Sequence, residues 1–431
     1  MVTWRPDPSF YPSPKMAMQA PPEKLACVAL LNPNAALNGD GDGRPDALAV
    51  FDVDPGSETY GQIAGRVDLP NTGDELHHFG WNACSSALCP YAPHPHIERR
   101  FLVVPGIRSS RIHIIDTKPD PREPRIVKVI EPEELHDRTG YSRPHTVHCG
   151  PEGLYVSTLG SPDGEGPGGV FVMDHESFDP LDPAKLMASE YGHRLHLWDL
   201  RKRRHLQALD LGENYQIVLE LRPAHNPNKA YGFVNTVVNL QDLSSSIWLW
   251  HRENGRWGIR KVIDIPAEPA HPDQLPPALK DFAAAPPLVS DIVLSLDDKF
   301  LYVSCWGTGE MRRYDVSDPF YPRHTGSVHL GGIVRKTAHP KTGQPLNGGP
   351  QMVELSRDGR RVYFSNSLYA AWDAQFYPEG LDGWIAKLDV DPGGGLTVDT
   401  DFFIEFAEGE RPHQIRLQGG DSSSDSFCYA S

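Results

Sequence analysis

Short apolar runs closed by an acidic residue recur along the chain, with almost no helical periodicity between them. Leu48-Ala-Val-Phe-Asp52, Ile112-His-Ile-Ile-Asp116 and Val170-Phe-Val-Met-Asp174 open the series. Leu195-His-Leu-Trp-Asp199, Ile247-Trp-Leu-Trp-His251, Met311-Arg-Arg-Tyr-Asp315 and Ile385-Ala-Lys-Leu-Asp389 continue it; the fifth ends on His and the sixth is weakly apolar. Runs of this length, rich in β-branched and aromatic residues and ended by a turn former, predict strands. A second pattern precedes some of them. Leu294-Ser-Leu-Asp-Asp-Lys-Phe-Leu-Tyr-Val-Ser304 matches Leu355-Ser-Arg-Asp-Gly-Arg-Arg-Val-Tyr-Phe-Ser365 almost position for position, and Gly150-Pro-Glu-Gly-Leu-Tyr-Val-Ser157 is a shorter relative. Each predicts a hairpin around an Asp/Gly turn.

Repeated hairpins with a closing strand are the pattern of propeller blades. Seven closing strands predict an all-β fold, a seven-bladed β-propeller over residues 25–431, preceded by an extended arm over residues 1–24. A β-sandwich array would also repeat hairpins, but no linker-like segment divides the repeats. The Pro/Gly-rich stretches 161–169, 266–287 and 335–350 read as loops. The intervals between closing residues are 64, 58, 25, 52, 64 and 74. A four-stranded blade takes roughly 40 to 50 residues, so the blade near residues 174–199 is expected to be incomplete.

Composition sharpens this only in places. Gly and Pro number 39 and 41 of 431 residues, consistent with frequent turns, and the formal charge of −16 argues against nucleic acid and anionic membranes as partners. No stretch has the apolar length of a membrane span, and no signal peptide is visible, so a cytoplasmic protein is expected. Cysteines 27, 84, 89, 149, 305 and 428 lack the spacing of a disulfide framework and read mostly as free thiols.

Candidate chemistry sits in two segments. Asp74-Glu-Leu-His-His-Phe-Gly-Trp-Asn-Ala-Cys-Ser-Ser86 packs two imidazoles, two carboxylates and a thiol together, and Arg143-Pro-His-Thr-Val-His-Cys149 adds two imidazoles and another thiol. Imidazole and thiolate are ligands for transition metals and carriers of redox chemistry. On a regular strand His77 and His78 would face opposite ways, so at most one is expected to point at a channel. His145 and His148 would converge only through a turn or bulge. His225 lies in a Pro-bounded loop and His413 opens the last strand. Any one of these is as compatible with a hydrogen-bonded structural imidazole; the set is what points to a metal. His113, His196 and His251 lie in the closing strands and read as ordinary surface or core residues. Cys84, between small polar residues, reads as an accessible thiol. No phosphate-binding glycine loop and no nucleophile elbow is present.

With Asp74 to Ser86, Pro144-His-Thr-Val-His-Cys149, Leu294 to Ser304, Gly348-Gly-Pro-Gln-Met352, Ser367-Leu-Tyr-Ala-Ala-Trp-Asp373, Gln375-Phe-Tyr377 and Gly419-Gly-Asp-Ser-Ser-Ser-Asp425, the chain resembles the selenium-binding protein family from about residue 22 onward. Members of that family include methanethiol oxidases. The resemblance implies a seven-bladed propeller that converts methanethiol, O2 and water to formaldehyde, hydrogen sulfide and hydrogen peroxide, with copper as cofactor and Cys84 at the selenium-binding position. One departure stands out: family members carry some tens of further residues between the positions of Phe178 and Asp179. Their loss removes channel-side strands from one blade, where the short interval already lies.

The expectation is therefore a copper-dependent methanethiol oxidase. His77 or His78, His145 or His148, His225 and His413 are its candidate metal ligands. Asp74 or Glu75 would orient a ligand imidazole, and Cys84 would act on sulfur or selenium. The alternatives are a selenium- or thiol-binding propeller without oxidase activity, and a purely structural propeller.

Overall fold

The computed structural model describes residues 9–11, 13–37, 43–83, 97–150, 152–184, 192–199, 202–226, 228–406 and 409–420. The chain divides into two compact units, residues 1–190 with 409–431, and residues 191–408.

The first unit contains three four-stranded antiparallel sheets. The first blade is assembled from both ends of the chain: Arg411–Leu417 pairs with Leu25–Leu31, which is followed by Ala47–Asp52 and Ile63–Asp68. The second runs Gly80–Trp81, Phe101–Pro105, Ile112–Asp116, Arg125–Ile130, and the third Ser142–Cys149, Leu154–Gly160, Val170–Met173, Pro180–Ala184. Apolar faces of neighbouring sheets meet to form the cores. Leu48, Val50, Phe79, Leu102 and Ile115 join the first two blades, and Val103, Ile114, Val147, Val156 and Phe171 join the second to the third. The helix Pro132–Thr139, ended by Gly140 in the left-handed region, drops Leu135 into the latter core.

The second unit repeats the plan three times: Tyr215–Pro223 to Arg256–Ile265, Val289–Leu294 to Arg323–His329, and Val353–Leu355 to Leu396–Glu405. The two Ser-x-Asp hairpins form as the sequence predicts. In Val289–Leu294 to Phe300–Cys305, Ser295 Oγ donates to Asp297 (2.7 Å) and accepts from the Phe300 N–H (2.9 Å). In Val353–Leu355 to Arg361–Ser365, Ser356 does the same for Asp358 (2.6 Å) and Arg361 (3.1 Å), with Gly359 at φ +71°.

Among the described residues there are thus six four-stranded blades of β-propeller type, not seven. All seven runs form strands, and six of them are third in a four-stranded sheet rather than last. The fourth strands, such as Arg125-Ile-Val-Lys-Val-Ile130, alternate with solvent on one side and so lack the continuous apolar run. The remaining run, Leu195 to Asp199, belongs to a two-stranded hairpin, Arg194–Asp199 with Arg204–Asp210. By its motif it holds the place of a third strand. The first two strand positions of that repeat have no counterpart among the described residues.

Residues 1–24 include a short helix, Pro14–Met18, capped by Ser13, and Phe10 is buried against Ala83 and Ile97. Cys27, Cys149 and Cys305 are buried and outside any disulfide, and no described helix is long and apolar enough to cross a membrane.

Candidate metal centre

Within the first unit, the first strands of the three blades carry the histidines. The segment leading into Gly80–Trp81 is only partly a strand. Glu75 sits at φ +56°, and Leu76 and His78 each make an isolated bridge, to Gly106 and Thr146. The His77 N–H donates to the Pro105 carbonyl (3.1 Å) of its own blade. The His78 N–H donates to the His145 carbonyl (3.2 Å) of the next blade, and the Val147 N–H returns a bond to the His78 carbonyl (3.3 Å). Consecutive residues are therefore held from opposite sides, and the alternation of a regular strand is broken.

The segment is anchored from behind by Asp46, whose two carboxylate oxygens accept from the Leu76 and Asn32 N–H groups (2.9 and 2.8 Å). Burial pushes this carboxyl up to about 7, against those two hydrogen bonds and with the help of nearby Asp74 and Glu75. In front, Arg416 Nε donates to the Phe79 carbonyl (3.2 Å), tying the strand that bears His413 to the segment that bears His77 and His78.

Both rings of the His77–His78 pair enter one cluster, contrary to the expectation that only one would. Their centroids are 4.2 Å apart and edge-on. His77 stacks on His413 at 3.9 Å and packs against His145 at 4.3 Å. His78 lies 4.8 Å from His145 and 4.9 Å from His413. A register shift at Pro144/Thr146 brings His145 in. One ring nitrogen each from His77, His78 and His413 lie within 4.8 Å of one another, and all three residues are buried. His77 Nδ1 is buried without a hydrogen-bond partner. Burial, then the other imidazoles, hold His77 well below the ordinary histidine range, and burial with His413 and Arg143 pushes His145 down to about 3. These two rings are accordingly neutral near pH 7, with lone pairs available. Thr146 Oγ1 lies 2.7 Å from His145 Nδ1; with Nδ1–H donating, Nε2 keeps its lone pair.

Other expected site residues fall elsewhere. His148 is half-buried with Nδ1 2.7 Å from the Cys149 carbonyl. His225 lies in the second unit, where its N–H donates to Asp298 (2.7 Å) and its Nε2 to the Leu294 carbonyl (3.1 Å). Asp74 is fully buried but engages Arg111 (3.3 Å) and stands 3.8 Å from His113 Nε2, rather than orienting a clustered imidazole. The neighbouring Glu75 is buried, and its carbonyl accepts from the Ile107 N–H (3.1 Å). Cys84 lies outside the described residues.

Sequence reasoning missed Asp46, Thr146 and Arg416. No motif marks Asp46 or Arg416. Thr146 could have been suspected from its place beside His145.

An all-nitrogen set of close imidazoles, three of them buried and one with an unused ring nitrogen, fits a copper- or zinc-class ion.

Comparison with known proteins follows the same lines. The sequence profile of the family described as 56kDa selenium binding protein (SBP56) matches residues 4–183 and again 179–428. The two matches meet where the shortened repeat begins. The human protein named methanethiol oxidase is 36% identical over 482 aligned positions, covering 96% of this chain and 97% of its own; that span exceeds the 431 residues here, so the relative carries residues this chain lacks. The mouse protein named selenium-binding protein 2 is 35% identical with the same coverage. The X-ray structure of a hypothetical selenium-binding protein from Sulfolobus tokodaii superposes with a TM-score of 0.92 at 56% identity, covering 98% of this chain and 100% of that one.

Proposed function

Since the chain belongs to the 56 kDa selenium-binding protein family, we propose that it is a copper-dependent oxidase of small thiols, with methanethiol as substrate. The four-imidazole cluster carries this reading, above all the buried, unpartnered His77 Nδ1. His77, His78, His145 and His413 would hold the ion, which when bound would supply the one-electron chemistry that links thiol oxidation to O2. Methanethiol, O2 and water, one molecule of each, would give formaldehyde, hydrogen sulfide and hydrogen peroxide. The two-electron reduction of O2 balances oxidation of the methyl carbon.

The chain's own residues prepare the site in three ways. Burial keeps His77 and His145 neutral, so no proton competes for their lone pairs at neutral pH. Thr146 fixes the His145 ring. Asp46 and Arg416 hold the backbone of the His77–Phe79 segment from both sides.

Elemental analysis of purified protein, paired with an assay of peroxide formed from methanethiol, tests the proposal. Copper content and activity should fall together on chelation and return together on copper addition. Activity in metal-free protein would refute it. The second reading, a selenium- or thiol-binding protein without oxidase activity, is favoured by the names of the family and of the mouse relative. It predicts selenium labelling that is lost in Cys84→Ser and no peroxide at any copper loading.

A further inference from the structure

The hairpin that stands in place of a complete blade holds a second pair of imidazoles. His196 lies on its first strand and His205 on its second, both exposed, with His196 Nδ1 and His205 Nε2 3.1 Å apart. The pairing register brings them together. His196 pairs with Ala208 and Leu197 with Gln207, but Trp198 then pairs with His205, so Leu206 is an extra residue on the second strand and projects into solvent. Without that bulge His205 would face the opposite side of the hairpin from His196. With it, His205 sits opposite Trp198, two residues from His196 and therefore on the same face. The Trp198 ring packs edge-on against His205 at 5.1 Å, and the small Ala208 leaves the space beside His196 open.

We propose that His196 and His205 form a surface site for a divalent ion of the copper–nickel–zinc class, with copper(II) the tightest. Two imidazole nitrogens about 2.0–2.1 Å from a common ion stand roughly 2.9–3.4 Å apart for bond angles between square-planar and tetrahedral, and the observed separation falls inside that range. The pair is now joined by one ring N–H donating to the other ring nitrogen. Binding needs only the tautomers that place both lone pairs inward, with the protons on His196 Nε2 and His205 Nδ1, so no net proton is released from a neutral pair. Water completes the coordination on the exposed side. Arg194, the nearby cation, is engaged by Asp210 (3.0 Å), which also binds His193 (2.8 Å), so its charge is largely offset. The preference for copper follows the usual divalent affinity order.

The test is a titration of chelator-stripped full-length protein with copper(II) sulfate, read by bound equivalents, by tryptophan fluorescence and by electron paramagnetic resonance. Wild type should bind one equivalent more than the double variant His196→Gln/His205→Gln. That equivalent should quench fluorescence, and the quench should shrink in Trp198→Phe because Trp198 touches a ligand ring. Its resonance should show two nitrogen couplings. Far-UV circular dichroism of the glutamine variant, which retains hydrogen-bonding side chains, confirms the fold. Equal stoichiometry and equal quenching in folded wild type and double variant would overturn the proposal. Thiol-dependent peroxide production should be unchanged by the double substitution, so the site's failure and the failure of the oxidase reading are separable.

Discussion

Replacing Asp46 with Asn should convert a pH-dependent element of stability into a constant one. Asp46 is buried, and its carboxyl is pushed from the ordinary 3.8 to about 7, chiefly by burial. A carboxyl whose folded value is raised favours the folded state at low pH, where it is protonated in both states. That contribution is lost as pH rises through the folded value. A shift of about three units corresponds to roughly 4 kcal/mol over the whole window at about 1.36 kcal/mol per unit, of which about 2.5 kcal/mol is lost between pH 5 and pH 7.5. Asn does not titrate. Its single amide oxygen can accept from one of the Leu76 and Asn32 N–H groups, leaving the other buried and unpaired at a cost of about 1–3 kcal/mol. At pH 5 Asp46→Asn should therefore be less stable than wild type by that amount. At pH 7.5, where wild type carries the buried charge, the gap should close or reverse. Urea unfolding of both proteins at the two pH values, followed by tryptophan fluorescence, measures the double difference. Other titrating groups, including Asp291, which burial also raises to about 7, are common to both proteins and largely cancel. A gap that stays constant between pH 5 and pH 7.5 would show that Asp46 is not held in its protonated form by the fold.

Two further outcomes follow from the same region. A Cβ on Gly80 would stand 2.6 Å from the Val147 carbonyl oxygen, so Gly80→Ala must push the second and third blades apart locally; a loss of at least about 2 kcal/mol in denaturant unfolding is expected, and wild-type stability would contradict the close approach. Thr146→Val removes the hydroxyl that orients His145, and copper affinity measured by chelator competition should fall about 10- to 100-fold while apo-protein stability changes by less than about 1 kcal/mol; unchanged affinity would remove Thr146 and His145 from the centre.

The propeller repeats could be read along the chain because a strand's apolar run and its Ser-x-Asp turn are local properties, set within a few residues. Misplacing those runs as last in each blade has an equally local cause. A fourth strand with one face in water carries an alternating pattern, and Arg125–Ile130 does not stand out against loops. The shortened repeat was visible as a 25-residue interval, and the described residues at its far end, Arg194–Asp199 with Arg204–Asp210, form only a hairpin. The count of blades depended on reading that interval as a blade rather than as the remnant of one.

The metal candidates divide in the same way. Residue type nominated His77, His78, His145, His148, His225 and His413, since imidazole is a ligand wherever it sits. Which of them meet was decided by contacts between residues far apart in sequence. His413 reaches His77 because the last strand pairs with the first, and His145 does so through a bulge. His77 and His78 both turn inward because opposite neighbours hold their backbones. His225 is claimed by Leu294 and Asp298, and Asp74 by Arg111. By itself, then, the sequence determined the repeat, the turn chemistry and the inventory of ligands, because these follow from short-range pattern and side-chain type. Only the tertiary structure decided which imidazoles converge and which carboxylate anchors them, because convergence rests on strand register and burial, and both are set by partners tens to hundreds of residues away.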